Sequence, residues 1–386
     1  FSVLDAWFES VSGYTTTGAT ILQNIESLPR SILFFRSFTQ WMGGVGVVLF
    51  ALLVAPAMRM NKMRLSKLEM SSLAKDNFVY KAQETIHVIL SVYIAGTLLC
   101  FIMLKIAGMN WFDAINHAFS TIATGGFSTK NDSIASFTPL VQILIMFFMM
   151  MSGIHFGLLY STFVRRSGSL LRSPVVRYYM LSIAAGLILV SLNLWISGQF
   201  SSFGESLMQG SFQVISVITT TGYASSDSSV WPSFSILLLL FFMLQGGCAG
   251  STVGGIKVDR FLIFIRSLKA QVKKQQHPNA VVPVKIGNHI IDDETGYSIT
   301  LFMLFFLLIT FISTIVLSLT DIDLMSAFSV SLASISNGGA GFGMFGSLSN
   351  YDLLNPLGKL MLTILMITGR LEIYGLILLF FIKSWR

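Results

Sequence analysis

Four short polar loops recur along the chain, and their composition and spacing could support ion chemistry. Residues 14–19 read Tyr-Thr-Thr-Thr-Gly-Ala, and residues 219–224 read Thr-Thr-Thr-Gly-Tyr-Ala. Looser versions occur at 123–128 and at 336–340. Intervals of 108, 96 and 117 residues separate the key glycines, which we take to be Gly18, Gly126, Gly222 and Gly339. This period predicts four similar structural units in one polypeptide.

The chemistry that such loops could perform is the binding of a dehydrated cation. Backbone carbonyl oxygens that converge on one axis replace the water shell of a cation. Glycine suits the constriction because it adopts backbone angles that strain other residues, and nearby hydroxyls brace the loop or face the ion. A single loop of this kind would indicate a tight turn between helices. Four such loops at regular intervals favour an ion-selectivity filter. The predicted cation-binding residues are Thr16, Thr17, Gly18, Thr124, Gly125, Gly126, Thr220, Thr221, Gly222, Asn337, Gly338 and Gly339.

Membrane helices are the elements that must position these loops. Of the 386 residues, 53% are hydrophobic and only 11% are charged, whereas a soluble domain carries about 25% charged residues. The composition therefore predicts an integral membrane protein. A helix that crosses a bilayer needs about 20 apolar residues, and seven stretches approach or exceed that length: 33–57, 86–108, 137–164, 178–198, 232–256, 298–320 and 357–383.

Each glycine loop follows an apolar stretch that is too short to cross a bilayer and so predicts a re-entrant pore helix. These stretches are Ala6–Thr17, Ala114–Gly125, Gly210–Thr221 and Ala327–Gly338. In three of them a polar residue precedes the first Ala, as is typical of a helix start.

The predicted fold is an all-α polytopic membrane protein with four pseudo-symmetric helix–pore-helix–helix repeats around one pore. The predicted repeats are 1–84, 85–176, 177–295 and 296–386. The first repeat lacks its first span, which predicts that further helices precede Phe1.

The charged residues indicate how the chain is oriented. Basic residues cluster in the connectors 59–81, 165–177 and 257–285, whereas the intervening connectors are mainly acidic. The positive-inside rule places the basic connectors in the cytoplasm and the glycine loops on the outer side. A net charge of +7 arranged in this way does not indicate nucleic-acid binding. The stretch 257–285 could bind anionic membrane lipid or a cytosolic protein, or simply mark the inner face.

A second glycine-rich segment, residues 245–257, interrupts the predicted span 232–256. Each glycine disfavours a helix by up to ~1 kcal/mol relative to Ala. The segment lacks the Gly-Lys-Ser/Thr of a nucleotide-binding loop. Two interpretations remain: close helix packing on small residues, or a flexible loop that gates the pore. The predicted gate residues are Gly246, Gly247, Gly250, Gly254 and Gly255.

Arg370 lies inside the last predicted span. A cation at membrane depth is costly, so it should face a cavity or a partner. It therefore belongs either to a salt bridge within the helices or to the pore, where we include it among the gate residues.

The four loops, together with Gly-Arg-Leu-Glu-Ile-Tyr at 369–374, give the chain a resemblance to a known family. Over essentially its whole length it resembles the Trk, Ktr and HKT superfamily of potassium transporters, and within it the TrkH/TrkG branch. The fourth loop departs most, because Ala340 stands where TrkH-like chains often have Pro.

The resemblance implies channel-like, passive uptake of K⁺, with Na⁺ as a less favoured ion. In some relatives a serine in the first loop accompanies sodium transport, so Gly18 implies K⁺. It further implies that 245–257 is an intramembrane gating loop and that Arg370 forms an electrostatic barrier beneath the filter. The implied assembly is a homodimer in the bacterial inner membrane, with one pore per subunit. Its implied partner is a cytosolic nucleotide- and NAD-binding regulatory subunit of the TrkA type.

Other functional classes have less support in the sequence. No Ser/His/Asp set, Cys/His set or pair of catalytic carboxylates stands out, so we predict neither an enzyme nor an organic cofactor. The alternative is a proton- or sodium-coupled K⁺ symporter. Carriers tend to have inverted repeats and broken helices around a midplane site, whereas these loops enter from one side, which favours a pore.

Overall fold

The computed structural model describes residues 2–46, 72–166, 168–287 and 289–373. Within these ranges the chain is almost entirely helical, with one small β-hairpin of β1 (Val284–Ile286) and β2 (His289–Ile291). The helices are α1 (Val3–Tyr14), α2 (30–46), α3 (Ser72–Ile106), α4 (Trp111–Ile122), α5 (Pro139–Ser152), α6 (Phe156–Phe163), α7 (Ser169–Arg172), α8 (Pro174–Ile196), α9 (Phe203–Ile218), α10 (Ser233–Leu244), α11 (Val258–Gln276), α12 (Asp293–Ser318), α13 (Leu324–Ile335) and α14 (Pro356–Arg370).

Three helices of the described chain are long and apolar enough to cross a membrane. They are the Thr85–Ile106 part of α3, together with α8 and α12, and they match the predicted spans 86–108, 178–198 and 298–320. Their outward faces carry exposed large apolar residues such as Leu98, Leu181 and Phe311. This lipid-facing surface explains the apolar composition.

Two predicted spans are wrong as continuous helices. The stretch 137–164 forms α5 and α6, which are bent by 103° at the short break after Ser152. The stretch 232–256 is helical only to Leu244, and helix resumes at Val258. In both cases the apolar composition indicates the environment of the segment but not whether the helix continues. The second break contains Gly250 and Gly255 with positive φ, a conformation that glycine adopts without strain.

The first and last predicted spans are described only in part. The span 33–57 begins as α2, and its residues beyond 46 lie outside the described ranges. The span 357–383 is helical to Arg370, followed by a turn at 371–373, and its remainder also lies outside them.

The four apolar stretches before the glycine loops form the short helices α1, α4, α9 and α13, which begin earlier than expected. Three of them start three residues before the predicted Ala, and α9 starts seven residues before Gly210. The true starts are set by side chains that cap the helices: Ser2, Asn110, Ser202 and Asp323. Each accepts a hydrogen bond from the backbone three residues later, which satisfies an otherwise unpaired N–H. Asp5 and Asp113 therefore lie inside the first turn.

Long helices and short helices pack in pairs. α3 contacts α4, α8 contacts α9, and α12 contacts α13, so each short helix lies against the long helix that precedes it. α1 packs on α14 instead. The short helices are the most deeply buried elements, with fully enclosed residues such as Ala118 and Val330. Their buried apolar residues belong to one continuous apolar core that also includes residues of the long helices.

Candidate functional site

The four glycine loops adopt the same backbone conformation. Each short helix ends four residues before the key glycine, and the intervening turn contains two residues with positive φ. The second of these is the key glycine, with φ between +66° and +84°. The first is Thr16, Thr124, Thr220 or Asn337, with φ between +47° and +55°.

Backbone hydrogen bonds define these turns as Schellman motifs. In the first loop Thr17 N donates to Ser12 O at 2.9 Å, and Thr16 N donates to Gly13 O at 3.0 Å. The other three loops repeat both bonds at equivalent positions. The left-handed residue of this motif is usually Gly or Asn, and a β-branched residue there is strained. Three Thr residues hold this strained conformation, which persists only where the surrounding structure enforces it.

The loops touch one another in a closed ring. A Cβ atom added to Gly18 would overlap the carbonyl oxygen of Gly125, and one added to Gly126 would overlap that of Thr221. The same relation joins Gly222 to Gly338 O and Gly339 to Thr17 O. Each key glycine thus packs on the residue that precedes the next key glycine. At these four positions a side chain larger than that of glycine is excluded both by contact with the neighbouring loop and by the positive φ.

All four key glycines line one cavity of about 60 Å³. The rest of its lining comes mainly from residues that follow these glycines and includes the basic residues Arg36 and Lys130. Each key glycine follows the C-terminal end of a short helix by four residues, and these ends carry partial negative charge. The predicted residues Thr16, Thr17, Thr124, Thr220, Thr221 and Asn337 are buried in the turns around this cavity. The structure therefore brings the sequence-predicted loop residues together at one place.

Hydrogen bonds between side chains hold several of these loop residues in place. Thr17 Oγ1 lies 2.8 Å from Thr15 Oγ1, and Thr221 Oγ1 lies 2.8 Å from Thr219 Oγ1. The Asn337 amide nitrogen donates to Thr17 Oγ1 at 3.1 Å, which links the fourth loop to the first. These threonine side chains therefore hold the turns together.

Gln40 is a bracing residue that sequence reasoning missed. Its Nε2 donates to Gly125 O at 2.6 Å, and its Oε1 accepts from Ser120 Oγ at 2.6 Å and from Phe127 N at 3.2 Å. It lies on α2, far from the second loop in sequence, and is fully buried. A polar amide inside an apolar predicted span was the available signal.

A second set of residues, outside the predicted site, connects the first two short helices to the outer ends of their own loops. Glu9 accepts hydrogen bonds from Thr20 Oγ1 at 3.0 Å and from Arg36 Nε at 2.9 Å. His117 Nε2 lies 3.1 Å from Ser128 Oγ. The equivalent positions in the third and fourth short helices are Gln213 and Val330, at the same intervals as the key glycines. Comparing the chain with itself at those intervals would have found this set.

The segment 245–257 is a buried loop that lies against the glycine loops. Gly254 N donates to Thr220 Oγ1 at 2.8 Å, and Thr252 Oγ1 donates to Ile122 O at 3.1 Å. An added Cβ on Gly254 would overlap Ser336 O at the end of α13. The interpretation of this segment as a packed helix is therefore wrong, because the helix is interrupted from Gln245 to Lys257.

The other predicted gate glycines fit the loop closely. Gly246 N donates to Ile256 O at 2.9 Å, so the two ends of the loop lie side by side, and Gly255 has positive φ. A Cβ on Gly247 would lie 2.8 Å from Gly153 O, and one on Gly250 would lie 2.6 Å from the His155 ring. The loop thus packs into the break between α5 and α6.

Arg370 is buried where this loop meets α2 and α14. Its Nη1 donates to Thr252 O at 2.8 Å, and its Nη2 lies 3.5 Å from Gly43 O. Among the described residues no carboxylate lies within ion-pair distance of Arg370, and Glu372 pairs with Arg260 instead. Backbone carbonyls therefore compensate this charge, and the salt-bridge interpretation receives no support within those residues.

Acidic side chains stabilise the outer ends of the short helices. The hydrogen bond from the Lys359 side chain, at 2.7 Å, lowers the pKa of Asp5 to about 2, and hydrogen bonds with Ser2 contribute. The pKa of Asp323 is lowered by its hydrogen bonding to Ser326. Across the described ranges no group of three or more His, Cys, Asp or Glu side chains is arranged to hold a metal ion.

Comparisons with known proteins agree with this architecture. The family model described as "TrkH: Cation transport protein" matches residues 1–385. The Trk system potassium uptake protein TrkH of Escherichia coli K12 is 37% identical over 388 residues, covering 100% of this chain and 80% of that protein. TrkG of the same strain is 36% identical over 387 residues, covering 99% and 79%.

A solved structure gives the same result. The crystal structure of the potassium transporter TrkH from Vibrio parahaemolyticus superposes with a TM-score of 0.89 at 32% identity, covering 100% of this chain and 80% of that one. These relatives are transport proteins, which confirms the prediction that the chain is not an enzyme. The chain belongs to the TrkH family of cation transport proteins.

Proposed function

We propose that the four glycine loops form the selectivity filter of a potassium uptake protein. The observation that carries this proposal is the closed ring in which each key glycine contacts the residue before the next. A ring of backbone around one small cavity is suited to replacing the water shell of K⁺ with oxygen ligands. The ligands would come from the turns that contain Gly18, Gly126, Gly222 and Gly339, and Na⁺ would pass less readily.

The proposed pore is built from four repeats, 1–84, 85–176, 177–295 and 296–386. The pairing of α3 with α4, α8 with α9 and α12 with α13 supports this division. The identical turn in all four loops also supports it. The partly negative C-termini of α1, α4, α9 and α13 lie four residues before the key glycines, which favours a cation over an anion at the ring.

We assign gating to the loop 245–257. It is held against the pore-helix ends by Thr220 and Ile122, and Arg370 binds its Thr252 carbonyl. A buried guanidinium at this place opposes the passage of K⁺ by charge repulsion. In this proposal the loop and Arg370 obstruct the path when docked and clear it when displaced.

The assembly that we propose is a homodimer in the bacterial inner membrane, with one pore per subunit and no organic cofactor. A TrkA-type regulatory subunit would bind the basic cytoplasmic connectors and displace the loop through α11, which follows it directly. Passive conduction down the electrochemical gradient is the proposed mechanism.

Ion flux in liposomes tests this proposal. Purified protein is reconstituted, and uptake of K⁺, Rb⁺ and Na⁺ is measured with and without a proton gradient. Uptake of K⁺ and Rb⁺ that exceeds Na⁺ uptake and proceeds without the gradient is the expected result. Uptake that strictly requires protons would contradict channel-like conduction and favour the symporter.

A further inference from the structure

An apolar groove of about 480 Å³ lies between α3, α5 and α6. It exists because the chain turns by 103° after Ser152, so that α6 leaves the line of α5. Gly96 on α3 deepens the groove, since an added Cβ there would meet only Ile122 Cδ1, at 3.7 Å. The groove borders the exposed faces of Leu99 and Phe147, on helices that are suited to contact lipid.

The lining of the groove selects an apolar, elongated ligand. Its volume lies within the roughly 300–1,000 Å³ of small-molecule sites, and ten of its fifteen lining residues are Val, Leu, Ile, Phe or Met. Ser152 also lines it, and the buried Oγ of that residue has no hydrogen-bond partner within the described ranges. A hydrocarbon chain loses no hydrogen bonds on entering such walls, whereas a sugar or an ion would.

Positive charge lies at one end of the groove. Phe163 and Val164 line this end, and the exposed residues Arg165 and Arg166 follow them directly. The Arg165 guanidinium lies 5.9 Å from the ring centre of Tyr160, which also lines the groove. By the positive-inside rule this connector faces the cytoplasmic leaflet, whose anionic lipids attract basic residues next to the membrane.

We propose that this groove binds an anionic phospholipid. One acyl chain lies between α3, α5 and α6, and the headgroup phosphate is held by Arg165 and Arg166. The apolar walls supply the affinity for the chain, and the two arginines supply the preference for a negatively charged headgroup.

The wall of the groove is also attached to the loop 245–257. Ile122 O accepts from Thr252 Oγ1 at 3.1 Å, and Phe156 N donates to Gly250 O at 3.2 Å. Gly153, next to Ser152, accepts from Cys248 N at 2.9 Å. An acyl chain packed behind these anchors stabilises the docked loop and so lowers flux. This consequence rests on the proposed gating function, whereas the lipid site itself does not.

Counting bound lipids tests the site without any measurement of transport. The full chain is titrated in detergent with phosphatidylglycerol or with phosphatidylcholine of the same acyl chains, and bound lipid is counted by native mass spectrometry. Gly96→Leu fills the groove, and the double variant Arg165→Gln/Arg166→Gln removes the headgroup contacts. Ala185→Leu, which adds the same side chain to an exposed position on α8, is the matched control.

The wild type and Ala185→Leu are expected to retain several-fold more phosphatidylglycerol than phosphatidylcholine. Gly96→Leu should lose the retained lipid, and the double variant should lose only the preference for phosphatidylglycerol. Equal retention by Gly96→Leu and Ala185→Leu would overturn the proposal. A groove filled by another segment of the chain would retain neither lipid in the wild type, which also overturns it.

Measuring Rb⁺ uptake distinguishes lipid binding in the groove from the effect of that lipid on the gate. In liposomes that contain phosphatidylglycerol, wild-type Rb⁺ uptake should be several-fold lower than in phosphatidylcholine alone, and the double variant should not respond. If the lipid counts are as expected but Rb⁺ uptake does not change with phosphatidylglycerol, the groove binds lipid without acting on the gate, and the coupling is overturned. Absence of all K⁺ and Rb⁺ flux overturns the proposed function, and the lipid counts still test the groove.

Discussion

Gly254 N donates a 2.8 Å hydrogen bond to Thr220 Oγ1, so the loop 245–257 is bound directly to the third glycine loop. Both residues are buried or nearly so, and Thr220 holds its strained φ of +47° at the turn that follows α9. The proposed gate and the proposed filter are therefore in contact, with no intervening layer of side chains at this point.

Thr220→Val is expected to raise basal K⁺ flux. The substitution keeps the shape of the side chain but leaves the Gly254 N–H buried without an acceptor, which costs about 1–3 kcal/mol. If that cost falls on the docked state, the open fraction rises roughly tenfold, since 1.4 kcal/mol is a factor of ten. The measurement is Rb⁺ uptake into liposomes at fixed protein density.

Thr220→Ser is the matched control, because it retains the hydroxyl and should conduct like the wild type. The K⁺/Na⁺ ratio of both variants is measured as well, since Thr220 is also a proposed filter residue. If Thr220→Val takes up Rb⁺ at the same rate as the wild type, this hydrogen bond does not hold the gate.

Arg370→Ala is expected to raise cation flux for two reasons. It removes a buried positive charge from the proposed path, and it removes the donor to Thr252 O. Arg370→Lys separates these effects, because Lys keeps the charge but lacks the planar fork of donors. Uptake by Arg370→Lys should fall between that of the wild type and that of Arg370→Ala.

Arg266→Ala serves as the control for loss of a basic side chain. Arg266 lies on α11 and donates to the Lys285 carbonyl of the hairpin, away from the glycine loops. Unchanged or lower flux in Arg370→Ala, alongside normal flux in Arg266→Ala, would rule out the barrier role.

The ion pair between Asp5 and Lys359 predicts a pH-dependent contribution to stability. The folded-state pKa of Asp5, about 2, lies below the ordinary value of 3.8. The stabilisation is therefore fully present above pH 3.8 and is lost as the pH falls toward 2. Because the pair is partly exposed to solvent, it contributes roughly 1 kcal/mol.

Asp5→Asn should lower the thermal midpoint of helix loss, measured by circular dichroism in detergent, at pH 6. The difference from the wild type should shrink as the pH falls from 4 toward 2. Glu26→Gln is the comparison, since the Glu26–Lys130 pair is more exposed, at 3.3 Å, and should change the midpoint little. A difference for Asp5→Asn that stays constant with pH would exclude the ion pair as its source.

The sequence was sufficient to predict the membrane class and the four loops, and it singled out 245–257 as either a gating loop or a closely packed helix. Each depends on composition or on local backbone preference: few charges, glycine at fixed intervals and several glycines within one span. The starts of the short helices were placed late because Asp5 and Asp113 were read as helix starts, whereas Ser2 and Asn110 cap the helices.

Features that depend on tertiary contacts could not be read in the same way. The bend within 137–164 falls at the Ser-Gly-Ile-His of 152–155, but these residues alone do not give its direction. The loop 245–257 occupies the bend through Cys248 and Gly250. Gln40 donates a hydrogen bond to Gly125, which lies 85 positions later in the chain, and no local sequence pattern predicts that contact. The ring itself needs all four loops and is visible only in three dimensions.

Gly18→Ser is expected to alter ion preference more than folding. Gly18 has φ of +84°, and an added Cβ would overlap Gly125 O, so the first and second loops must separate locally. A wider ring coordinates a dehydrated K⁺ less well, and the K⁺/Na⁺ flux ratio should fall at least several-fold. The matched control is Gly108→Ser, because Gly108 also has positive φ, at +100°, but nothing lies within 4 Å of an added Cβ. Both variants bear the backbone strain of a side chain at positive φ, and only Gly18→Ser disturbs the ring. If the two variants have the same K⁺/Na⁺ ratio as the wild type, the first loop is not part of the filter.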